Sequence, residues 1–298
     1  MSAGASDISG WLLMGLPWLV YLCGIAEASW TAIGLAVGTY INWLVLAKRL
    51  RNYSSKINAI TVPDFFAKRF KDNTNILIAV AAVLIIIFFI PYTASGFSTC
   101  GKLFGSLFGI DYHIAMVISA VVIVAYTSLG GFLAASTTDF IQSIIMSIAL
   151  VVVLVFGIHV AGGWNAVTDN AKSITDYLSL IATTDGAGAS VPFGGMKIVS
   201  TLAWGLGYFG MPHILVRFMS IEDEQKLVLS RRVASIWVTF AMGIAIFIGI
   251  VGLAVVNAGG MAPLEDSERV IIALTNELSQ NGVLAAVLGG VILAGILA

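Results

Sequence analysis

Asp7 stands inside an apolar run, with Gly4, Ser6, Ser9 and Gly10 around it. A carboxylate in a membrane-length segment costs about 2.5–3.5 kcal/mol on insertion scales. Its small, polar neighbours are poor helix formers in hydrocarbon. If the helix is locally unwound there, freed carbonyls can coordinate a cation, and a half-helix beginning near Gly10 can receive a carboxylate. Hydroxyl and carbonyl oxygens are hard donors, suited to Na⁺ or water rather than to transition metals. A polar helix end at the membrane surface fits the same residues, because they lie so near Met1.

A second cluster lies about two hundred residues on. Gly205, Gly207 and Gly210 are followed by Pro212, all within one apolar segment. Proline removes an intrahelical bond and the glycines lower the cost of bending, so the helix is expected to break here. Close helix packing is the other use of glycine in membranes; the proline and the clustering favour the break. On helical spacing, Trp204 and Tyr208 share one face and offer an apolar wall with a polar tip.

Other polar residues within apolar segments admit two readings each. Asp139, Gln142, Ser143 and Ser147 form a helical stripe that either faces a water-filled path or begins with Asp139 capping its helix at the membrane surface. Tyr92, after Pro91, either reaches a central site or packs with its hydroxyl bonded. His113, His159 and His213 fit no ligand spacing. Cys23 and Cys100 are isolated in apolar surroundings and read as small core residues. No phosphate-binding loop, metal-hydrolase motif or nucleophile with a base is found, so the chain is not expected to be an enzyme or to need a cofactor.

The elements that must position these residues are membrane helices. Of 298 residues, 59% are hydrophobic and 10% charged, and the mean hydropathy is +0.98; soluble domains carry roughly a quarter charged residues. A net charge of −1 without a basic, aromatic-studded patch excludes a nucleic-acid partner. The expected partner surface is the lipid bilayer. Spans of about 20 apolar residues predict an all-α polytopic protein with segments A (2–23), B (28–47), C (75–98), D (113–130), E (139–160), F (195–217), G (233–256) and H (282–298). Lys48, Arg49, Arg51, Lys56, Lys68, Arg69 and Lys71 lie between B and C, and Arg217, Lys226, Arg231 and Arg232 between F and G. The positive-inside rule makes loops 48–71 and 217–232 cytoplasmic, leaving only Lys102, Lys172, Lys197 and Arg269 outside. Segment A then starts on the inner side.

The connections are also readable. Thr61-Val62-Pro63-Asp64 suits a helix start, and Phe65, Phe66 and Phe70 beside Lys68 and Arg69 suit a short surface helix. The D–E connection is expected over Gly130–Thr138. In the E–F loop, 166–181 is expected as a surface helix and Thr183–Gly188 as a flexible run. Segment H reaches Ala298 without a cap, and Met1 stands directly before a polar interruption, so the sequence reads as a piece of a longer chain.

Ser2 to Pro17, with Asp7, Ser9, Gly10 and Trp11, resembles the first broken helix of the sodium/solute symporter family, in its sodium/proline branch. Gly205 to Met219, with Tyr208, Pro212, His213 and Arg217, is similar to that branch's second broken helix. Tyr126 to Ala134 and Val62 to Phe66 match as well, so the likeness runs along the whole chain. It implies a LeuT-like inverted-repeat fold, here incomplete: a single transporter domain over 1–298, with the first five-helix repeat over 1–161, a loop over 162–194, and three helices of the second repeat over 195–298. Family chains begin one helix earlier, and the helix matching H continues into a Ser-Thr pair that completes the sodium site; by itself this chain is expected not to couple transport.

The resemblance implies sodium-coupled uptake of proline across the cell membrane. The Ala5 and Ile8 carbonyls would hold Na⁺, with Asp7 in support and Asp139 as a more distant coupling residue. Ser9, Gly10, Trp11, Tyr92, Trp204, Tyr208 and Pro212 would receive the solute. Met211 stands where proline symporters of this type carry Gln, which leaves open another small solute, or H⁺ in place of Na⁺. A sensory membrane domain joined to a signalling kinase is the reading from a different class.

Overall fold

The computed structural model describes residues 10–185, 188–223, 225–264 and 266–280. They are almost entirely helical. Helix α1 (Trp11–Cys23) corresponds to the described part of segment A, and α2 (Ile25–Lys56) to B with its basic extension. The chain reverses between them at Gly24, whose φ of 80° and ψ of −170° favour glycine. A Cβ there would also lie 2.6 Å from the Tyr177 carbonyl oxygen.

Helix α3 (Val62–Phe70) is the expected surface helix. Thr61 Oγ1 accepts the Asp64 N–H at 3.3 Å, and the Asp64 carboxylate accepts from Lys68 at 2.8 Å. Phe66 and Phe70 are exposed. Helix α4 (Ile76–Phe108) is segment C, longer than expected, and runs through Pro91. Its start is capped from upstream: Asp72 accepts the Leu77 N–H at 2.7 Å and the Thr74 N–H at 2.8 Å.

Segments D and E form one helical stretch, α5 (Tyr112–Val160), turned at the single residue Gly131 (φ 60°, ψ −156°). The expected loop over Gly130–Thr138 is therefore corrected to a one-residue break. Only glycine takes that backbone conformation without strain, and a Cβ on Gly130 would come within 2.3 Å of Ala134 Cβ. Phe132 to Thr138 are free to begin the second arm at once.

Beyond α5, α6 (Trp164–Ser173) is shorter than the expected 166–181 helix. A hairpin of β1 (Ala182–Thr184) and β2 (Ser190–Pro192) follows, with Thr183 opposite Val191. The expected flexible run over Thr183–Gly188 is thus partly an ordered strand. Thr183 and Thr184 donate their hydroxyls to the carbonyls of Cys23 at 2.7 Å and Leu22 at 3.3 Å, which ties the hairpin to the end of α1.

Segment F is divided into α7 (Gly195–Leu202), a 3-10 stretch over Ala203–Phe209, and α8 (Pro212–Met219). Segment G is α9 (Lys226–Asn257). A helix not foreseen, α10 (Val270–Ser279), packs its apolar face inward after a 3-10 turn at Ser267–Arg269. Segment H lies outside the described residues.

Helix α9 is the centre of the core, burying Ala241, Ala245, Ile248, Val251 and Val255. Small residues bring its neighbours close: a Cβ on Gly249 would stand 2.6 Å from the Pro17 carbonyl oxygen of α1. Helix α4 and the first arm of α5 turn Ile86, Ile87, Phe88, Val121 and Val122 outward, an outside that suits lipid rather than water. Among the described residues four helices are long and apolar enough to cross a membrane.

The tightest approach is between α2 and segment F. Cβ atoms on Gly34 and Gly38 would lie 2.6 Å from the Leu202 carbonyl oxygen and 2.4 Å from that of Gly205, and one on Gly205 only 2.0 Å from the Gly34 oxygen. The opposing atoms are backbone and cannot rotate away. Gly38→Ala and Gly205→Ala are each expected to cost about 1–3 kcal/mol, the range for overpacking a filled interface, measured by thermal unfolding in detergent; unchanged stability would show that the two backbones are not in contact.

Asp72 carries a pH dependence. Hydrogen bonds from the Thr74 hydroxyl first, then from the backbone N–H groups of Leu77 and Thr74, hold its carboxyl below its ordinary value. With the folded pKa below the unfolded one, its contribution is complete above the unfolded value and is lost as pH falls through the folded value. Asp72→Asn is expected to flatten the acid limb of a stability–pH profile below about pH 4; an identical limb in the variant would remove Asp72 from the account.

Candidate functional site

The break in segment F has a definite construction. The 3-10 stretch ends with the Gly210 N–H bonded to the Gly207 carbonyl at 3.0 Å. Met211 is extended (φ −76°, ψ 111°), and Pro212 opens α8. Proline at the first position of a helix needs no N–H and is pre-set for helical φ; Pro212 starts a helix rather than kinking one. Met211 accepts the Ile214 and Leu215 N–H groups at 3.1 and 3.0 Å.

A stretch without α-helical bonding leaves carbonyls to be satisfied. Asn42, buried on α2, donates Nδ2 to the Tyr208 carbonyl at 2.8 Å. It continues the Gly34–Gly38 stripe by one more turn. Those three residues carry the break: two remove side chains so the backbones can meet, and the third supplies a donor. Sequence reading missed them; the signal was a Gly-xxx-Gly followed at the same interval by a polar residue in an apolar helix.

Trp204 and Tyr208 do not share a face. The 3-10 geometry turns 120° per residue, which separates positions four apart. Trp204 is 53% exposed and Tyr208 only 4%. Trp204 instead meets Trp11, with ring centroids 5.3 Å apart and planes tilted by 46°. Trp11 is placed by α1: its ring lies over Gly15, where a Cβ would come within 2.6 Å of it. Gly10 is already helical and lies beside Thr99 of α4, whose Oγ1 would be 3.5 Å from a Cβ on Gly10.

Helix α4 passes both the start of α1 and the break in segment F. Tyr92 stacks on His213 at 5.7 Å with planes 21° apart, and Phe89 touches both rings. His213 directly follows Pro212, so Tyr92 lies beside the start of α8. Tyr92 and Thr99 are two turns apart, about 10 Å along the helix, and between them Gly96 has no atom within 4 Å of where its Cβ would be. The described residues thus pair Trp11 with Trp204, and set Tyr92 against His213, next to Pro212, while Tyr208 is buried with its carbonyl held by Asn42. Ala5, Asp7, Ile8 and Ser9 lie outside the described residues.

A model of the sodium:solute symporter family matches residues 1–298. The chain belongs to the sodium:solute symporter family. It is 42% identical over 299 aligned residues to a protein named sodium/proline symporter from Staphylococcus aureus, an alignment covering 100% of this chain and 55% of that protein. The same figures hold for the sodium/proline symporters of strains JH9 and COL. The chain spans about half the length of the curated relatives it matches. As a member of a solute symporter family with several apolar helices, it is a multi-pass membrane protein of a transporter family.

In this chain Asp139 does not cap a helix, because the second arm of α5 is already helical from Phe132. It forms an ion pair with Arg217 of α8, the two side chains 18% and 12% exposed. Arg217 also donates Nη1 to the His213 carbonyl at 2.8 Å, and its guanidinium lies 6.0 Å from the Phe132 ring centroid. The stripe below Asp139 faces protein: the Ser147 hydroxyl accepts from Trp237 Nε1 of α9 at 2.9 Å. Arg217, counted as a loop charge in the 217–232 stretch, is therefore a helical residue committed to Asp139, and Lys226, Arg231 and Arg232 likewise belong to α9.

At the opposite end of α4, Lys102 pairs with Glu268, and with Asp266 at 3.3 Å, before α10. Cys23 and Cys100 are free and half-buried. Among the described residues no cluster of His, Cys, Asp and Glu forms a metal site.

Removing one partner of the Asp139–Arg217 pair leaves a charge in a poorly solvated place. Asp139→Asn and Arg217→Gln are each expected to lower thermal stability, and the double variant to lose less than the sum, with a coupling of about 1–3 kcal/mol. Strictly additive losses would mean that the pair contributes nothing.

Proposed function

We propose that this chain is part of a sodium-coupled carrier that takes up proline across the cell membrane. The single observation that carries the reading is the Trp11–Trp204 contact. It joins the residue just after the first expected break to the second break, where a carrier of this kind needs its solute site. The named activity of the 42% identical relatives, sodium/proline symport, is the corresponding support from similarity.

In this reading the protein has a LeuT-like inverted-repeat fold, with 1–161 as the first repeat, 162–194 as the outer loop and 195–298 as part of the second. The Ala5 and Ile8 carbonyls hold Na⁺, supported by Asp7. Ser9, Gly10 and Trp11 receive the solute carboxylate at the half-helix start, and Tyr92, Trp204 and Pro212 line the apolar side against the ring. Tyr208 acts through the carbonyl that Asn42 holds rather than through a face shared with Trp204. Loops 48–71 and the segment after α8 are cytoplasmic, so Asp139–Arg217 closes the inner side and Lys102 with Asp266 and Glu268 the outer. Na⁺ and solute favour closure around the breaks, and rocking of α1, α2, segment F and α9 against α4 and α5 changes access.

Met211 favours one second reading. It is the extended residue of the break and packs on the core, where a Gln would offer a polar group beside the solute; a different small solute suits such a site.

In the full-length protein, Trp204→Ala, Asp7→Asn and Ser9→Ala are each expected to reduce sodium-driven proline uptake by tenfold or more, with Asp7→Asn also raising the sodium concentration needed. Uptake kinetics and sodium dependence equal to the parent in all three would sink the site. Competition by unlabelled solutes at varied sodium and pH separates proline from another solute and Na⁺ from H⁺.

A further inference from the structure

Helix α4 carries three glycines inside it, Gly96, Gly101 and Gly105. A glycine within a helix costs roughly 1 kcal/mol against alanine, so each stands where a methyl group would spoil something. For two of them that something is another part of the chain. A Cβ on Gly101 would lie 2.8 Å from the Tyr112 ring, and one on Gly105 3.2 Å from the Ile110 carbonyl oxygen. Gly96 has no such neighbour: among the described residues no atom lies within 4 Å of its Cβ position. Nor does its backbone call for glycine, since its φ is not positive.

The place of Gly96 on the helix shows what it leaves room for. At 100° per residue, Phe89, Tyr92, Gly96, Thr99 and Leu103 fall within about 80° of one another, on one face of α4. Phe89 and Tyr92 meet His213, Thr99 lies at Gly10, and Leu103 is buried. Gly96 therefore sits about 6 Å along the axis from Tyr92 and about 4.5 Å from Thr99. It lies between the contact with the residue before Trp11 and the contact with the residue after Pro212. It is exposed, so the notch in front of it can be entered. The hydroxyls beside it are turned back on the helix: Ser95 donates to the Tyr92 carbonyl at 2.7 Å and Thr99 to the Ser95 carbonyl at 3.0 Å. Neither hydroxyl hydrogen is offered to the notch, which suits hydrocarbon rather than a polar group.

We propose that Gly96 determines the size of solute the site admits: the ring methylenes of a small cyclic amino acid occupy the notch, and the absent side chain sets the largest ring that fits. The inference rests on the uptake function proposed above and names a residue for its selectivity. Tyr92 and Thr99 bound the notch along the helix, so a side chain at Gly96 takes the space of the ring and leaves the carboxylate and amine of the solute untouched.

The test uses the full-length protein in proteoliposomes with an inward sodium gradient. Labelled proline competes with azetidine-2-carboxylate, proline and pipecolate, which carry the same amine and carboxylate on rings of increasing size. Gly96→Ala is expected to raise the KM for proline about tenfold or more, the least that one methylene in a filled pocket is worth, with kcat little changed. Azetidine-2-carboxylate is expected to lose less, so the preference shifts toward the smaller ring, and Gly96→Val extends the shift. Alanine favours a helix over glycine, so Gly96→Ala is expected to unfold at the parent's temperature or above. Ala94→Val, on the opposite face of α4, is expected to keep the parent's KM and ring order. An unchanged ring order in both Gly96 variants overturns the inference, as does an equal loss for all three rings or the same shift in Ala94→Val. Lower thermal stability of Gly96→Ala also overturns it, because another helix of the full-length protein then fills the notch. A parent without sodium-driven proline uptake overturns the proposed function and this inference with it; a parent that takes up proline leaves the variants to decide the inference alone.

Discussion

Segment F can be unwound inside a membrane because α2 lies directly against it. A 3-10 stretch in hydrocarbon is tolerable only where its backbone is buried in protein and its polar groups are bonded. Gly34 and Gly38 let the two backbones meet, and Asn42 closes the account at the Tyr208 carbonyl. Everything at the site follows from that contact. Trp204 is turned out of the interface and toward Trp11, Met211 is drawn extended, and α8 restarts at Pro212 with His213 beneath Tyr92.

The loops follow the same logic at the far end of α1. Ile25 donates its N–H to the Tyr177 carbonyl at 3.0 Å, Trp30 Nε1 donates to the Leu180 carbonyl at 2.8 Å, and the two threonines of β1 bond the last carbonyls of α1. Gly24 turns the chain under Tyr177, whose side chain is 2% exposed. Burial pushes that hydroxyl far up from its ordinary value, so it stays protonated. The helix-end carbonyls of α1 are thus satisfied by residues 160 and 162 positions away in sequence, and the α1–α2 turn is fixed to the hairpin.

Much of this was legible in the sequence because hydrophobic length and the placement of glycine and proline are strong signals. The spans, the surface helix at Val62–Phe70 and the break at Pro212 were readable from composition and from glycine and proline. What was not readable depended on partners. The periodicity that put Trp204 and Tyr208 on one face assumed α-helical geometry, and the contact with α2 imposed another. Asp139 seemed free to cap a helix only while the D–E turn was assigned several residues; a glycine pair makes that turn with one. Arg217 counted as a loop charge until its partner on α5 was known. Asn42 has no local signature that separates it from a solvent-facing polar residue.

Two kinds of contact hold segment F, and they differ in how they can come apart. Against α2 the contact is backbone on backbone, with no side chain to rotate; separating it would expose the bonded Tyr208 carbonyl and open a void between close-packed chains, which is costly in either solvent. Against α5 the contact is an ion pair whose members are 12% and 18% exposed. Each member keeps some exposure and can take water in place of the other, so this contact parts at a lower cost than the backbone seam, though not without one. Segment F is therefore bound rigidly to α2 and reversibly to α5. The proposed rocking of one group of helices against another would use this asymmetry: a seam that stays closed beside the unwound stretch, and an ion pair that parts more readily.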